Sequence, residues 1–273
     1  MSNKVLKPKK ASLYQFTQKY SNNIDNCIEF FKSMKWPEGF SCDRCGCHKY
    51  YLVKRVGKTK TSYVLECSSC HKQHSLLSGT IFQSCKLDLY KLLLGIFLFF
   101  NENKGISAVD LCSILDVNYK TALLLENKCR ILMSLSNSDK LLNSLFYEAD
   151  VFNIGAKSKN KAGRASEQQP VLGILSTDKE NNYPRFIKLR LINDYTGLSL
   201  KKNIEKCCVL SHDALLNTDG EKGFNTLNEE IQVKNEKISY EERDHRLLWL
   251  NIIIGNIKNN ITGIYHGITV SAK

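Results

Sequence analysis

Residues 41–70 read SCDRCGCHKYYLVKRVGKTKTSYVLECSSC, and this stretch decides the fold of the N-terminal part of the chain. It contains two CxxC pairs with 21 residues between them, formed by Cys42, Cys45, Cys67 and Cys70. Each pair offers two thiolates from one turn, and two pairs complete the tetrahedron that a structural zinc ion prefers. Since four cysteines leave no open coordination position, we expect a structural rather than a catalytic metal.

The residues between the two pairs predict a β-hairpin. Residues 50–56 and 61–66 alternate or are rich in β-formers, and the Gly-Lys-Thr-Lys segment 57–60 suits the turn. The result is a zinc ribbon with one CxxC at each knuckle. Other metal-ligand residues lie close by, and we interpret them as ordinary surface or packing residues: Cys47, His48, His71 and His74.

Cysteine use elsewhere indicates a reducing compartment. The chain has 11 cysteines, an odd number, and its polar, Lys-rich first 12 residues lead into no apolar run, so we expect no secretory signal. The longest apolar stretch, near 92–100, is about half a membrane span, so we expect no transmembrane helix. The remaining cysteines are expected to be small buried hydrophobes: Cys27, Cys85, Cys112, Cys129, Cys207 and Cys208.

Positive charge is concentrated in the first half of the chain. Residues 1–140 carry 21 Lys and Arg against 11 Asp and Glu, whereas residues 141–273 carry 18 against 16. Clustered positive charge attracts a polyanion, and nucleic acid is the commonest such partner. A solvated basic face that only confers solubility is the alternative.

Helices flank the ribbon. The pattern predicts a short helix over 26–34, a buried helix over 87–100, and two helices over 107–115 and 119–133, the first capped by Ser107. The last two are joined by a tight turn at 116–118, which is helix-turn-helix spacing. An ordinary helical hairpin would show the same pattern.

The second half of the chain has a different sequence pattern, with short β-prone runs. Strands are predicted over 145–152, 171–176, 185–192 and 209–216, with helices over 198–206 and 245–261. Strands accompanied by flanking helices indicate an α/β or α+β domain.

Two aspartates in this half are candidate metal ligands. Asp150 lies within an apolar strand, where an unpaired charge is costly, and Asp219 follows another strand. Two Asp at neighbouring strand ends can hold Mg²⁺ or Mn²⁺ for phosphoryl transfer. Asp219 precedes Gly220, however, and Asp-Gly is also a frequent turn.

The chain resembles the zinc-ribbon insertion-sequence transposases related to the Merlin elements. The resemblance covers roughly residues 25–270 and begins with the ribbon. Beyond the ribbon, the resemblance rests on these runs of residues: Ser78-Gly79-Thr80-Ile81-Phe82, Lys104-Gly105-Ile106-Ser107-Ala108, Tyr119-Lys120-Thr121-Ala122, Glu148-Ala149-Asp150, Ile154-Gly155, Thr218-Asp219-Gly220 and residues 249–267, which end in Gly263-Ile264-Tyr265-His266-Gly267.

The resemblance implies a ribonuclease H-like domain of the DDE type that cuts and joins DNA at element ends. Asp150 and Asp219 match the first two metal-binding carboxylates of the family. The third metal-binding position of the family falls at Asn251. Other members have a His at that position and an Asn at the position of Asn256. Lys258, seven residues after Asn251 and so on the same helical face, matches a basic residue that contacts DNA phosphate.

The resemblance also implies the partners and the parts. We expect double-stranded DNA, as terminal inverted repeats and target, a homo-oligomer that holds two ends, and a location at the bacterial nucleoid in the cytoplasm, or in the nucleus of a eukaryote. The expected modules are an N-terminal helical segment (1–38), the ribbon (39–84), the helix-turn-helix segment (85–140) and a ribonuclease H-like domain (141–273), which is shorter at its C-terminus than in relatives.

Two departures from the family pattern keep an alternative open. Val151 stands where an acidic residue usually follows the first Asp, and Asn251 offers a neutral amide in place of Glu or His. The alternative is an inactive or domesticated DNA-binding protein, with a protein-binding zinc-ribbon module as a third hypothesis.

Overall fold

The structure is a computed structural model that describes residues 12–57, 61–102, 105–138, 140–155, 168–178, 183–235 and 247–265. The chain forms two compact units, Met1–Ser134 and Leu135–Lys273. It is a mixed α+β protein with a Cys-rich ribbon region in the first unit and a mixed sheet in the second.

The described part of the first unit contains helices around a three-stranded antiparallel sheet of order β1-β2-β3. Its elements are α1 (Leu13–Tyr20), α2 (Ile24–Lys35), β1 (Tyr50–Val56), β2 (Thr61–Cys67), β3 (Gln73–Ser75), α3 (Leu89–Asn101), α4 (Ala108–Leu115) and α5 (Tyr119–Ser138), of which the last runs a few residues past the boundary.

One hydrophobic core connects the ribbon with the helices. Leu65 on β2 is fully buried together with Leu92 on α3, Leu111 on α4 and Ala122 on α5. Because these side chains share one core, the ribbon is a part of this unit's packing. The four-part division expected from the sequence stays a prediction.

The second unit is built on a five-stranded sheet of order β6-β5-β4-β7-β8. The pairs β6·β5 and β5·β4 are antiparallel, whereas β4·β7 and β7·β8 are parallel, so β4 lies at the centre. The elements are β4 (Phe146–Ile154), β5 (Gln169–Thr177), β6 (Pro184–Leu191), α6 (Gly197–Glu205), β7 (Leu215–Thr218), a 3-10 turn (Lys222–Leu227), β8 (Gln232–Asn235) and α7 (Leu248–Tyr265).

The two faces of this sheet bury different clusters. Tyr147 and Ala149 of β4 face a core that includes Leu200 and Ile204 of α6. Phe152 of β4, on the opposite parity, packs in a second cluster with residues of α7. The face of β4 that carries Glu148, Asp150 and Phe152 is therefore the α7 face.

Most elements predicted from the sequence are confirmed, with ends that differ by a few residues. Ser107 caps α4 as expected, because its Oγ accepts from the Asp110 N–H at 3.1 Å. Asp116 ends α4 in the left-handed conformation (φ 49°). Parts of the predicted turn at 57–60 and of the predicted helix 245–261 lie outside the described residues.

Other predictions are wrong or incomplete. The strand expected over 209–216 begins only at Leu215, because the Ala214 N–H bonds the Ser211 carbonyl in a turn. Four elements were not predicted from the sequence: α1, β3, β8 and the 3-10 turn. Of the six further cysteines, Cys85 and Cys112 are only half-buried, and the other four are buried as expected. Among the described helices, none has the length and apolar character needed to cross a membrane.

Candidate functional site

The four ribbon cysteines converge on one point. The sulfur atoms of Cys42 and Cys70 are 3.6 Å apart, those of Cys45 and Cys67 are 3.5 Å apart, and all four lie within 4.8 Å of one another. Four thiolates about 2.3 Å from a central zinc ion have sulfur–sulfur edges of roughly 3.8 Å, so the cluster fits a tetrahedral structural site.

Each CxxC is shaped by a tight turn. The Gly46 N–H bonds the Cys42 carbonyl at 2.8 Å, and the His71 N–H bonds the Cys67 carbonyl at 3.0 Å. Both residues have positive φ, 71° at Gly46 and 56° at His71. β1 and β2, paired from Tyr50 with Cys67 to Val56 with Thr61, then bring the two turns together.

The other potential metal ligands near the ribbon contact protein groups, and one of them, His74, also has metal-ligand geometry. His48 Nδ1 bonds the Phe40 carbonyl at 2.9 Å, and His71 Nδ1 lies 3.2 Å from Glu66. His74 is buried, and its ring, with Asp43 and Cys42, forms a second group with metal-ligand geometry. Because this group shares Cys42 with the four-cysteine cluster, it is not an independent site.

Asp150 lies on the central strand of the second unit. It is half-buried on the α7 face, and its register partner on β5 is Gly173, which has no side chain to cover it. Its Oδ1 accepts from the Val151 N–H at 2.7 Å. Since it is only half-buried, Asp150 is partly accessible to solvent although it lies on the central strand.

Asp219 lies at the end of the neighbouring strand. Ala149 pairs with Thr218 in parallel register, so Asp150 and Asp219 each follow the last pair by one residue. Asp219 is exposed, and Gly220 (φ 71°) turns the chain away immediately after it. The structure thus brings the two predicted aspartates to adjacent positions of one sheet.

A cleft of about 580 Å³ opens beside Asp150, and its walls include Phe152, Gln168 and Lys258. The Lys258 ammonium lies 5.6 Å from the centre of the Phe152 ring. The structure therefore places Asp150 and Lys258 on one cleft. Asp219, Asn251 and Asn256 do not line it.

The two asparagines occupy different sides of α7. Both are exposed, whereas Leu250 and Ile254 are buried. At about 100° per residue, Asn251 shares a flank with Lys258, seven residues later. Asn256 comes two residues after the buried Ile254, so it lies on nearly the opposite side of the helix from Ile254.

Glu148 is a buried carboxyl group that was not among the site residues predicted from the sequence. It is 4% exposed, and one carboxylate oxygen accepts from the Leu250 N–H at 2.9 Å. Burial raises the pKa of Glu148 to about 7, while the hydrogen bond from Leu250 opposes that rise. The alternation of side chains along β4 could have pointed to Glu148 from the sequence, because it places Glu148 on the same face as Asp150.

A basic cleft lies at the start of α5 in the first unit. Its volume is about 690 Å³, and its walls include Lys86, Tyr119, Lys120, Thr121 and Lys128. Asn118 caps α5, because its Oδ1 accepts from the Thr121 N–H at 2.8 Å. Lysines next to a helix N-terminus make a region that attracts anions.

Comparison with known proteins gives two matches to family models. Residues 145–272, which contain all five candidate catalytic residues, match an ISXO2-like transposase domain. Residues 23–73, which contain all four ribbon cysteines, match a transposase zinc-ribbon domain. No curated protein matches the chain. These two matches, in this order along the sequence, support the assignment of the chain to the zinc-ribbon, DDE-type insertion-sequence transposases.

Proposed function

We propose that this protein binds the ends of a mobile element as double-stranded DNA and carries out metal-dependent strand cleavage and transfer. The observation that carries the proposal is the placement of Asp150 and Asp219 one residue beyond the same parallel pair, on adjacent strands of a mixed sheet.

Asp150, Asp219 and Asn251 are the residues that would hold Mg²⁺ or Mn²⁺. Two carboxylates and an amide offer the hard oxygen atoms that these ions prefer. When bound, the ions supply charge stabilisation and activation of the attacking oxygen in an in-line displacement at phosphorus. Asn251 is favoured over Asn256 because it lies on the flank of α7 shared with Lys258.

Lys258 is proposed to hold a DNA phosphate beside Asp150. Its side chain lies along the Phe152 ring, which restricts the positions of the ammonium group in the cleft. A fixed positive charge next to the carboxylates would orient the scissile strand and balance the charge that the substrate brings into the cleft.

The sheet supports the ribonuclease H-like fold that the resemblance implies. β4 lies at the centre, antiparallel to the strand on one side and parallel to the strand on the other. Helix α7 covers the face of β4 that carries Asp150. This topology explains how residues far apart in sequence reach one site.

The first unit is proposed to recognise the element ends. Residues 107–118 form a short helix and a turn ahead of α5, in helix-turn-helix order, and the start of α5 lines the basic cleft. Lys120 is exposed there and is available to contact a phosphate. A homo-oligomer that holds two ends together is part of the proposal.

The test uses the purified, zinc-loaded full chain and DNA that carries the inverted repeats flanking its own gene. We expect nicking that requires added Mg²⁺ or Mn²⁺. Asp150→Asn and Asp219→Asn should each reduce cleavage by about 10³-fold or more, since each removes a charged ligand at nearly constant shape. Both should bind the DNA ends within about twofold of wild type, because phosphate contacts elsewhere dominate binding.

Asp213→Asn is the matched control, since Asp213 is an exposed aspartate in the turn before β7, at the opposite end of that strand from Asp219. It should cleave like wild type. A protein that binds the ends but never cleaves them with either ion would instead establish the second candidate, an inactive DNA-binding relative. That candidate is favoured by Val151 and Asn251, which replace charged residues of the family pattern.

A further inference from the structure

Helix α7 begins without a side-chain cap of its own. The Asn251 N–H bonds the Leu247 carbonyl at 2.9 Å, which makes Leu247 the residue at the N-cap position. A leucine side chain has no acceptor atom for the N–H groups of the first turn. These groups are normally satisfied by the N-cap side chain, which bonds the second or third residue of the helix.

Glu148 supplies the missing acceptor from the central strand. Leu250 is the third residue of α7, and its N–H donates to the Glu148 carboxylate across 102 positions of sequence. Both partners are buried, at 4% and 0% exposure, so water does not compete for the bond. The positive end of the helix dipole also favours a carboxylate at this point.

This contact connects the two elements that carry the proposed site. Glu148 precedes Asp150 by two residues on the same face of β4, about 7 Å along the strand. Leu250 immediately precedes Asn251. One hydrogen bond therefore joins the first turn of α7, which carries Asn251, directly to the strand that carries Asp150.

We propose that Glu148 is a positioning residue, whose carboxylate caps α7 and fixes Asn251 against the strand that carries Asp150. This inference rests on the proposed function, since it assigns Glu148 a role in that same site. Glu148 does not line the cleft beside Asp150. Its role is thus to hold the helix rather than to contact metal or DNA.

The test compares Glu148→Ala, Glu148→Gln and Tyr147→Phe in the zinc-loaded full chain. Glutamine keeps an acceptor oxygen at the same place, whereas alanine removes it. Tyr147 is the matched control, because it is buried on the opposite face of β4 and its hydroxyl bonds the carbonyls of Leu142 and Val209 at 3.1 and 3.2 Å. Tyr147→Phe therefore removes buried hydrogen bonds without touching α7.

Two quantities are measured: amide hydrogen exchange in residues 248–251, and the affinity for Mn²⁺ alone. In Glu148→Ala we expect exchange at Leu250 and Asn251 to rise about tenfold or more and Mn²⁺ affinity to fall about tenfold, in line with the loss of a buried hydrogen bond. Glu148→Gln should restore both to within about threefold, because a neutral acceptor keeps roughly half of such a bond. Tyr147→Phe should change neither, whatever its melting temperature.

Unchanged exchange in Glu148→Ala would overturn the capping role. Faster exchange with unchanged Mn²⁺ affinity would overturn the positioning role, because the helix start would then not govern the site. Loss of affinity in Tyr147→Phe as well would show a general stability effect and overturn the inference too. If the wild-type protein binds no Mn²⁺, or if Asp150→Asn does not abolish its Mn²⁺ binding, the proposed function itself is overturned, and the positioning role with it.

Discussion

At the residue scale, the ribbon cysteines form a sharply defined site. Their sulfur atoms are already within the spacing of a zinc tetrahedron, and Cys42 and Cys67 are buried in the core of the first unit. Metal binding and folding of the ribbon are therefore expected to be coupled, because the thiolates meet only in the folded chain.

Cys42→Ser should lose stoichiometric zinc and unfold the ribbon, since a hydroxyl is a poor zinc ligand and three thiolates leave the tetrahedron open. Zinc content of the purified protein and its circular dichroism measure the two effects. Cys47→Ser is the control, because Cys47 is outside the four-sulfur cluster and its Sγ lies 3.8 Å from the Lys49 carbonyl. A Cys42→Ser protein with one tightly held zinc ion per chain would contradict the assignment.

Adding a negative charge at Asn251 and at Asn256 in turn distinguishes which of the two is the third metal ligand. Asn251→Glu should raise Mn²⁺ affinity about tenfold, because a carboxylate binds a divalent cation more strongly than an amide. Asn256→Glu adds the same charge on nearly the opposite side of α7 and should leave the affinity within about twofold. Titration with Mn²⁺ gives both values, and a larger gain at Asn256 would reverse the assignment.

At the element scale, the 3-10 turn approaches α6 and the residues before it closely at Gly223. A Cβ built on Gly223 would come within 2.8 Å of the Tyr195 carbonyl oxygen and 2.7 Å of Leu200 Cδ1. The carbonyl belongs to the backbone and cannot rotate away. Only glycine fits at this position, which lies between β7 and β8 in the chain.

Gly223→Ala should lower the free energy of unfolding by about 1–3 kcal/mol, as expected for overpacking in a close contact. Gly255→Ala is its control, since a Cβ there meets nothing within 4 Å and the residue lies inside α7. That change should raise stability by up to about 1 kcal/mol through helix propensity. Urea unfolding measures both, and equal effects at the two glycines would refute the packing argument.

At the scale of the whole molecule, charge is divided between the halves of the chain. The first 140 residues hold 21 of the 39 Lys and Arg with only 11 of the 27 Asp and Glu. Three of these lysines, at positions 86, 120 and 128, line one cleft at the start of α5. DNA binding by this part should therefore depend steeply on salt.

Lys86→Ala combined with Lys120→Ala should weaken binding to all DNA sequences about equally. It should also reduce the slope of log K against log salt by about 2, one for each phosphate contact removed. Fluorescence anisotropy at several salt concentrations measures the slope. Lys206→Ala, an exposed lysine of the second unit, should leave it unchanged. A wild-type affinity that does not depend on salt would exclude the DNA interface.

Local patterns predicted most of the elements and the zinc site. The CxxC pairs, the β-prone hairpin, the Ser107 cap and the charge division are all properties of short stretches, so they can be read without knowing the fold. Most of the elements that were not predicted are short, such as β3 and β8. Strands of three or four residues have too little periodicity to be recognised, and pairing with neighbours determines them.

Sequence by itself determined the ribbon, its metal ligands and the two aspartates as candidates. Only the tertiary structure decided that Asp150 and Asp219, 69 positions apart, lie side by side, and that Glu148 caps α7. The physical reason is that both facts depend on which strands pair, in which register, and on how a distant helix packs on the sheet. Such long-range contacts leave no periodic trace in the segments that make them.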